Sequence, residues 1–280
     1  MWPAPRTYRT PRCDIGRGPA WIWGTRTFVM GIVNATDDSF SGDGISGEID
    51  AAVRLARSFE LAGVDVIDVG GASSRPGADP TPIDVEIDRV SPVLEAVREA
   101  VSLPISIDTT WAAVAERALD LGADVVNDIT GLRLDPDLAP LVADRGVAVV
   151  AMHNQRNRPH NDVIGDISEG FESTLQICAD AGVDHGRVIL DPGFGFGWSV
   201  EQNLELLRRL PELWAFELPL FIGTSRKSSI GKVLNADVER RRFGTAATIS
   251  QSICAGVDVV RVHDAGEMID VVTMTDAIVR

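Results

Sequence analysis

The sequence predicts an α/β protein: a (β/α)8 TIM barrel with a short N-terminal extension. Three observations predict it. Short apolar, β-branched runs recur eight times along the chain, and stretches of helical period lie between them. The runs are apolar throughout rather than alternating, as strands covered on both faces are. The helix ends also share a punctuation of helix, glycine, one residue and strand, as at Ala62-Gly63-Val64-Asp65, Leu121-Gly122-Ala123-Asp124 and Ala255-Gly256-Val257-Asp258. Glycine just past a helix takes the left-handed dihedral without a Cβ penalty, which makes short αβ turns. A doubly wound open sheet is the alternative, but it usually has fewer strands. Eight units in 280 residues fit one closed barrel.

In order, residues 1–27 are an extension, and Ala20–Thr27 (AWIWGTRT) is expected as a hairpin closing the barrel floor. Residues 28–280 form one barrel domain. Its expected strands are Phe28–Asn34, Val64–Gly70, Pro104–Asp108, Asp124–Asp128, Val147–His153, Arg187–Asp191, Pro219–Gly223 and Asp258–His263. Helices are expected over Ile49–Ala62, Trp111–Leu121, Ser168–Ala181 and Thr245–Ala255. The last stretch, Ala265–Arg280, is apolar on more than one side, which hints at an interface as well as packing on the barrel.

The chain carries 26 Lys+Arg against 41 Asp+Glu, a formal net charge of −15. That argues against nucleic-acid and anionic-membrane partners, which reward cationic surfaces. Cys13, Cys178 and Cys254 form neither a metal pattern nor an even-numbered disulfide framework, and read as reduced thiols. With no apolar run of about 18 residues and no secretory signal pattern, the chain reads as cytoplasmic.

Barrel active sites lie at the C-terminal strand ends. Here polar residues terminate almost every run: Asn34, Asp108, Asn127, His153, Asp191, Lys227, Arg261 and His263. Any one of them has an ordinary explanation. Asp191 in Asp-Pro-Gly suits a helix cap, and His263 suits a core histidine bonded to backbone. Their agreement across separate strands favours a site. Asp108, Asn127 and Asp191 suit a flat heterocycle with a guanidine-like N–H edge. Lys227, Arg261 and His263 suit an anion. The loops after the first two strands (Ala35–Gly44 and Gly71–Gly77) read as mobile lids. The expected ligand is therefore a polar ring joined to a phosphate-like leaving group. Gly193-Phe194-Gly195-Phe196-Gly197 is G-x-G-x-G and not a dinucleotide fingerprint.

An ordered set of segments resembles the dihydropteroate synthase family. They are FVMGIVNATDDSF (Phe28–Phe40), DVGGASSRPGA (Asp68–Ala78), ISIDT (Ile105–Thr109), VVNDITG (Val125–Gly131), ILDPGFGFG (Ile189–Gly197), GTSRKSSIG (Gly223–Gly231), GTAAT (Gly244–Thr248) and RVHD (Arg261–Asp264). The resemblance runs from about Thr25 to the C-terminus. It implies a (β/α)8 barrel that joins 6-hydroxymethyl-7,8-dihydropterin pyrophosphate to p-aminobenzoate, giving 7,8-dihydropteroate and pyrophosphate in folate biosynthesis by an SN1-like path. It also implies that Asp108, Asn127, Asp191 and Lys227 hold the pterin, with Met152 and Phe196 lining the pocket. Asn34 would meet the pyrophosphate and its Mg²⁺. Arg261 and His263 would bind the pyrophosphate, with Arg261 also flanking the pterin. Ser228, Ser73, Ser74 and Arg75 would form the p-aminobenzoate side. Asp108, Asp191, Lys227 and Arg261 are the expected catalytic set, and a homodimer is the family's habit.

Several positions depart from the family pattern. Asp37 stands where Pro is frequent, Gly42-Asp43 displaces the usual loop aspartate by one, Ala72 replaces Glu and Trp198 replaces Lys. They bear on p-aminobenzoate affinity, lid closure and sulfonamide sensitivity. The alternatives are a non-catalytic or altered-specificity pterin-binding paralogue and a pterin-dependent methyltransferase domain.

Overall fold

The structure is a computed structural model that describes residues 6–35, 44–72 and 81–280. After two short strands, β1 (Arg12–Cys13) and β2 (Trp21–Ile22), comes the barrel. Its strands are β3 (Phe28–Asn34), β4 (Val66–Gly70), β5 (Ile105–Asp108), β6 (Val125–Asp128), β7 (Ala148–Met152), β8 (Val188–Asp191), β9 (Phe221–Ile222) and β10 (Val259–Val262). Between and after them lie α1 (Gly44–Ala62), α2 (Ile83–Ala100), α3 (Ala112–Asp120), α4 (Leu138–Arg145), α5 (Val163–Ala181), α6 (Val200–Arg209), α7 (Ser228–Leu234), α8 (Arg242–Cys254) and α9 (Ala265–Val279). All eight predicted strands are present within a few residues of their expected ends.

The strands pair in parallel in the order β8-β7-β6-β5-β4-β3-β10-β9. A parallel bridge between Leu190 and Leu220 joins β8 to the residue preceding β9 and completes the ring. At the αβ turns, Gly63, Gly122, Gly182 and Gly256 have φ between +80° and +94°, the left-handed conformation their position requires. Between β9 and β10 the sequence reading anticipates one helix, and the structure holds two. The extra one is α7, seven residues long and too short to show a helical period.

The alternation of side chains along each strand sorts two cores. Val29, Val33, Ile67, Val69, Ile107, Val126, Val149 and Leu190 point outward and are buried under the helices. Phe28, Met30, Val66, Val125, Val150, Ile189, Phe221 and Val259 fill the barrel with Cys13, Ile15, Trp21 and Trp23 of the extension. The extension therefore does close the floor, but its hairpin is not where the sequence reading puts it. β1 pairs β2 antiparallel, with Cys13 opposite Trp21, so the first arm lies well before Ala20. Two-residue strands carry no alternation by which to find them. Trp21 stacks on Phe28 with ring centroids 4.3 Å apart, and Trp23 meets the same ring edge-on at 5.6 Å.

A polar clasp ties this plug to the barrel rim. Buried Asp258 accepts from Arg6 Nη1 at 2.6 Å and from Leu220 N at 2.9 Å on Oδ2. Its Oδ1 accepts from Tyr8 Oη at 2.6 Å. Arg6 also donates to Leu218 O at 2.7 Å. All three cysteines are free thiols, and burial pushes the thiols of Cys13 and Cys178 up to about 12.

Candidate active site

The parallel register lines up the inward positions near the C-terminal ends. Asn34 is level with Gly70, Gly70 with Asp108, and Asp108 with Asn127. On the other side Met152 is level with Asp191. One inward step below, Asp68 on β4 is level with Ser106 on β5. Above the apolar floor the barrel therefore carries a polar layer, produced by period-two alternation through strands that start apolar and end polar.

Arg261 lies at the centre of this layer. Its Nε donates to Asp68 Oδ2 at 2.6 Å and its Nη2 to Asp108 Oδ2 at 2.7 Å. Asn127 Nδ2 donates to the same Asp68 oxygen at 3.2 Å. Asp191 turns one oxygen, Oδ1, onto Gly193 N at 2.8 Å. That bond shapes the glycine-rich turn, so Asp191 bonds inside its own Asp-Pro-Gly turn and caps no helix. Asn203 braces the next bend by accepting from Gly195 N at 2.6 Å and donating to Ser229 Oγ at 3.1 Å. The turn carries Phe196 to the mouth, where Lys227 Nζ lies 4.1 Å and Arg156 Cζ 4.5 Å from its ring centre. Both are cation–π distances.

The stretch 224–227 is held in an uncommon shape. Arg226 has φ +56°, rare for a residue with a side chain. Its guanidinium is locked onto Asp264, with Nε–Oδ2 at 3.0 Å, and its carbonyl accepts from Arg241 Nη1 at 2.9 Å. The kink presents Ser225 and Lys227 on the two sides of the bend. Ser225 Oγ accepts from His263 N at 3.2 Å and faces His263 Nδ1 at 3.0 Å.

Burial sets the charge states. Desolvation raises the Asp108 carboxyl to about 7, helped by the neighbouring Asp68 and Glu86 and opposed by Arg261 and Lys227. It raises Asp191 to about 6, against the Gly193 hydrogen bond, Lys227 and Arg261. Lys227 falls to about 8, by burial and then by Arg261. His263 falls to about 3, by burial and then by Arg261 and Arg226. Sequence reasoning counts His263 among the potential cations, but burial in this site favours its neutral form. Burial also works against the charge of Arg261, but Asp68 and Asp108 outweigh it and hold the group firmly protonated.

The structure thus brings Asp108, Asn127, Asp191, Lys227 and Arg261 into one charged network, with Met152 and Phe196 buried beside it. Asn34 is half-buried at its rim and Ser228 exposed at the start of α7. Ser73, Ser74 and Arg75 lie outside the described residues, as do Asp37, Gly42 and Asp43. Trp198 is buried, not displayed at the mouth, and packs against His153 and His160 at 5.8 and 5.6 Å. Sequence reasoning gives Asp68 no role. The available signal is an aspartate inside an otherwise apolar run, at the inward parity of Gly70.

The pterin-binding enzyme family matches residues 30–263. The dihydropteroate synthase of Synechocystis sp. is 41% identical over 98% of this chain and 97% of its own length. Among solved structures, the dihydropteroate synthase of Clostridium difficile, crystallised in the presence of pteroic acid, is 44% identical and superposes with a TM-score of 0.90 over 93% of this chain and 99% of its own. That of Xanthomonas albilineans with 4-aminobenzoic acid is 38% identical, with a TM-score of 0.90 over 96% and 98% of the two chains. The chain belongs to the dihydropteroate synthase family of pterin-binding enzymes.

Proposed function

We infer that the chain condenses 6-hydroxymethyl-7,8-dihydropterin pyrophosphate with p-aminobenzoate to give 7,8-dihydropteroate and pyrophosphate. The observation that carries this reading is the division of the mouth. Buried acceptors on β5 and β8 face donors on β10 and the 224–227 bend, with Arg261 reaching between them. Asp108, Asn127 and Asp191 take the N–H edge of the pterin, and Met152, Phe196 and the Lys227 stem cover its faces. Arg261 and His263 donate to the pyrophosphate. Ser228, with Ser73, Ser74 and Arg75 of the second loop, forms the p-aminobenzoate side.

The methylene C–O bond breaks and the pyrophosphate leaves with the electron pair. Its growing negative charge falls where Arg261 is already aimed. Ring electrons spread the positive charge left on the methylene, and Asp108 and Asp191 stabilise it further when ionised. The neutral arylamine nitrogen attacks and then loses a proton, so no strong base is required. Water would trap the cation, so keeping water out of the mouth protects the yield.

A divalent cation fits this site. Mg²⁺ keeps several waters and leans on substrate phosphates, so it needs few protein ligands. Asn34, half-buried at the rim, offers one amide oxygen. When bound, Mg²⁺ would neutralise charge on the leaving group. We place the protein in the cytoplasm as a homodimer. No helix among the described residues is long and apolar enough to cross a membrane. Phe243 on α8 and Met274 on α9 are 86% and 63% exposed, large apolar side chains of the kind a contact with a second copy would cover. The net charge of −15 disfavours nucleic acid.

A pyrophosphate-release assay with the pterin pyrophosphate and Mg²⁺ tests the reading. Release that depends on p-aminobenzoate, and is lost in Asp191→Ala and Arg261→Ala, supports it. Pterin binding without release would overturn it in favour of a binding-only paralogue.

A further inference from the structure

Beneath the mouth lies a carboxylate to which the roles above assign nothing. Asp68 is fully buried on β4, and its Oδ2 holds both Arg261 Nε and Asn127 Nδ2. Arg261 is gripped a second time, at Nη2, by Asp108. The two grips are unequal. The Asp68 side chain is 0% exposed, whereas that of Asp108 is 18% exposed at the rim. If Asp108 takes the N–H edge of the pterin, as the proposed function requires, the pterin competes with Arg261 for Asp108. It does not compete for Asp68.

We propose that Asp68 is a positioning residue, the fixed pivot of Arg261. Pterin binding displaces the Nη2 end from Asp108, and the guanidinium, still held at Nε, turns its freed N–H groups to the leaving pyrophosphate. This rests on the functional reading above and adds a coupling to it. A guanidinium presents five donors in a rigid fork, so one donor can be anchored while the others serve a ligand. The anchoring oxygen also accepts from Asn127 Nδ2, a bond that the amide oxygen in Asp68→Asn can keep, so that substitution acts on Arg261. Without the Asp68 charge Arg261 would settle on Asp108 alone and mask the acceptor the pterin needs.

The test uses Asp68→Asn, Arg261→Gln and the double variant, in the full chain. Wild-type protein must first release pyrophosphate in a p-aminobenzoate-dependent way; if it does not, the functional reading fails before this proposal is reached. Given that, Asp68→Asn should lower kcat/KM for the pterin pyrophosphate by ~10-fold or more while the KM for p-aminobenzoate stays within about twofold. Binding of 6-hydroxymethylpterin, which lacks the pyrophosphate, gives the readout that a merely structural role would not reproduce. Arg261→Gln frees Asp108 and sets the reference affinity for this pterin, and Asp68→Asn should bind it more weakly than that reference. In the Arg261→Gln background, Asp68→Asn should change that affinity by less than about twofold. Full activity in Asp68→Asn, or pterin affinity that falls again in the double variant, would overturn the proposal. Should Asp68→Asn alone not fold, Arg261→Gln against the double variant decides, because the double variant strands neither charge.

Discussion

Each end of the barrel buries an aspartate against an arginine, but the two ends use the pair differently. At the floor, both oxygens of Asp258 are engaged, by Arg6 and Leu220 N on one side and Tyr8 on the other. At the mouth, Asp68 uses one oxygen for two donors while its buried Oδ1 has no partner among the described residues. The floor engages both oxygens of its carboxylate within the chain, as a clasp should, and what it leaves over among the described residues is a donor, Arg6 Nε. The mouth leaves acceptors over and buries carboxylates until desolvation lifts two of them, Asp108 and Asp191, to about 7 and about 6. Binding sites store this kind of incompleteness, because a ligand can then supply the missing donors.

The largest expected effect separates function from stability. Asp191→Asn should lower turnover by ~10²-fold or more, the scale of losing one charged contact to a transition state. The folded protein should not suffer. A carboxyl raised to about 6 holds a proton that the unfolded chain releases near its ordinary value. Its ionisation costs stability as pH rises, and the amide removes that cost. Thermal melting at pH 8 should place the variant at or above wild type. A lower melting temperature would make Asp191 structural.

At the floor the expectation reverses. Asp258→Ala strands Arg6, whose side chain is only 4% exposed. Losing one partner of a buried pair costs about 3–5 kcal/mol. Denaturant unfolding should show that loss, while the folded fraction keeps wild-type KM values for both substrates. A change in the pterin KM would mean the two ends are coupled.

Titration sharpens the same contrast. Ionised Asp108 and Asp191 are the acceptors proposed for the pterin, so kcat/KM for the pterin pyrophosphate should climb as pH rises through 6 to 7. These values belong to a coupled group, so the rise should be broad. In ligand-free protein, neutral His153 and His263, lowered to about 4 and about 3 by burial, offset the carboxyls below pH 6.5. The clean measurement is therefore a difference. The melting advantage of Asp108→Asn over wild type should widen from about pH 4, the ordinary aspartate value, to about 7 and then stay level. A margin that narrows over that range would reverse the assigned charge state.

The contrast also marks what the sequence could carry. The strands were legible because β-branched runs and left-handed glycines are local signals, and the polar strand ends were legible because alternation places them on one rim. The proposed catalytic set Asp108, Asp191, Lys227 and Arg261 follows from that rule together with the family motifs. The clasp of Arg6 and Tyr8 on Asp258 spans 252 and 250 residues, and no local pattern encodes it. Asp68 lies between these cases. Its parity is readable along Val66–Gly70, but its bond to Arg261 depends on a strand 193 residues away. The neutral state of His263 was hidden for a related reason, since it depends on burial beside Arg261 and Arg226.

The smallest effect concerns Ser106, the register neighbour of Asp68. Its hydroxyl is buried and, like Asp68 Oδ1, has no partner among the described residues. A hydroxyl buried without a partner costs about 1–3 kcal/mol, and removing one costs only the small loss of packing. Ser106→Ala should therefore stabilise the protein by about 1 kcal/mol in denaturant unfolding, and leave kcat within about twofold because Arg261 keeps both its grips. A loss of stability instead would mean that the hydroxyl and Asp68 Oδ1 are bridged by a bound water. The mouth would then be as fully satisfied in that layer as the floor is at Asp258, and the incompleteness would be confined to the rim, at Asp108 and Asp191.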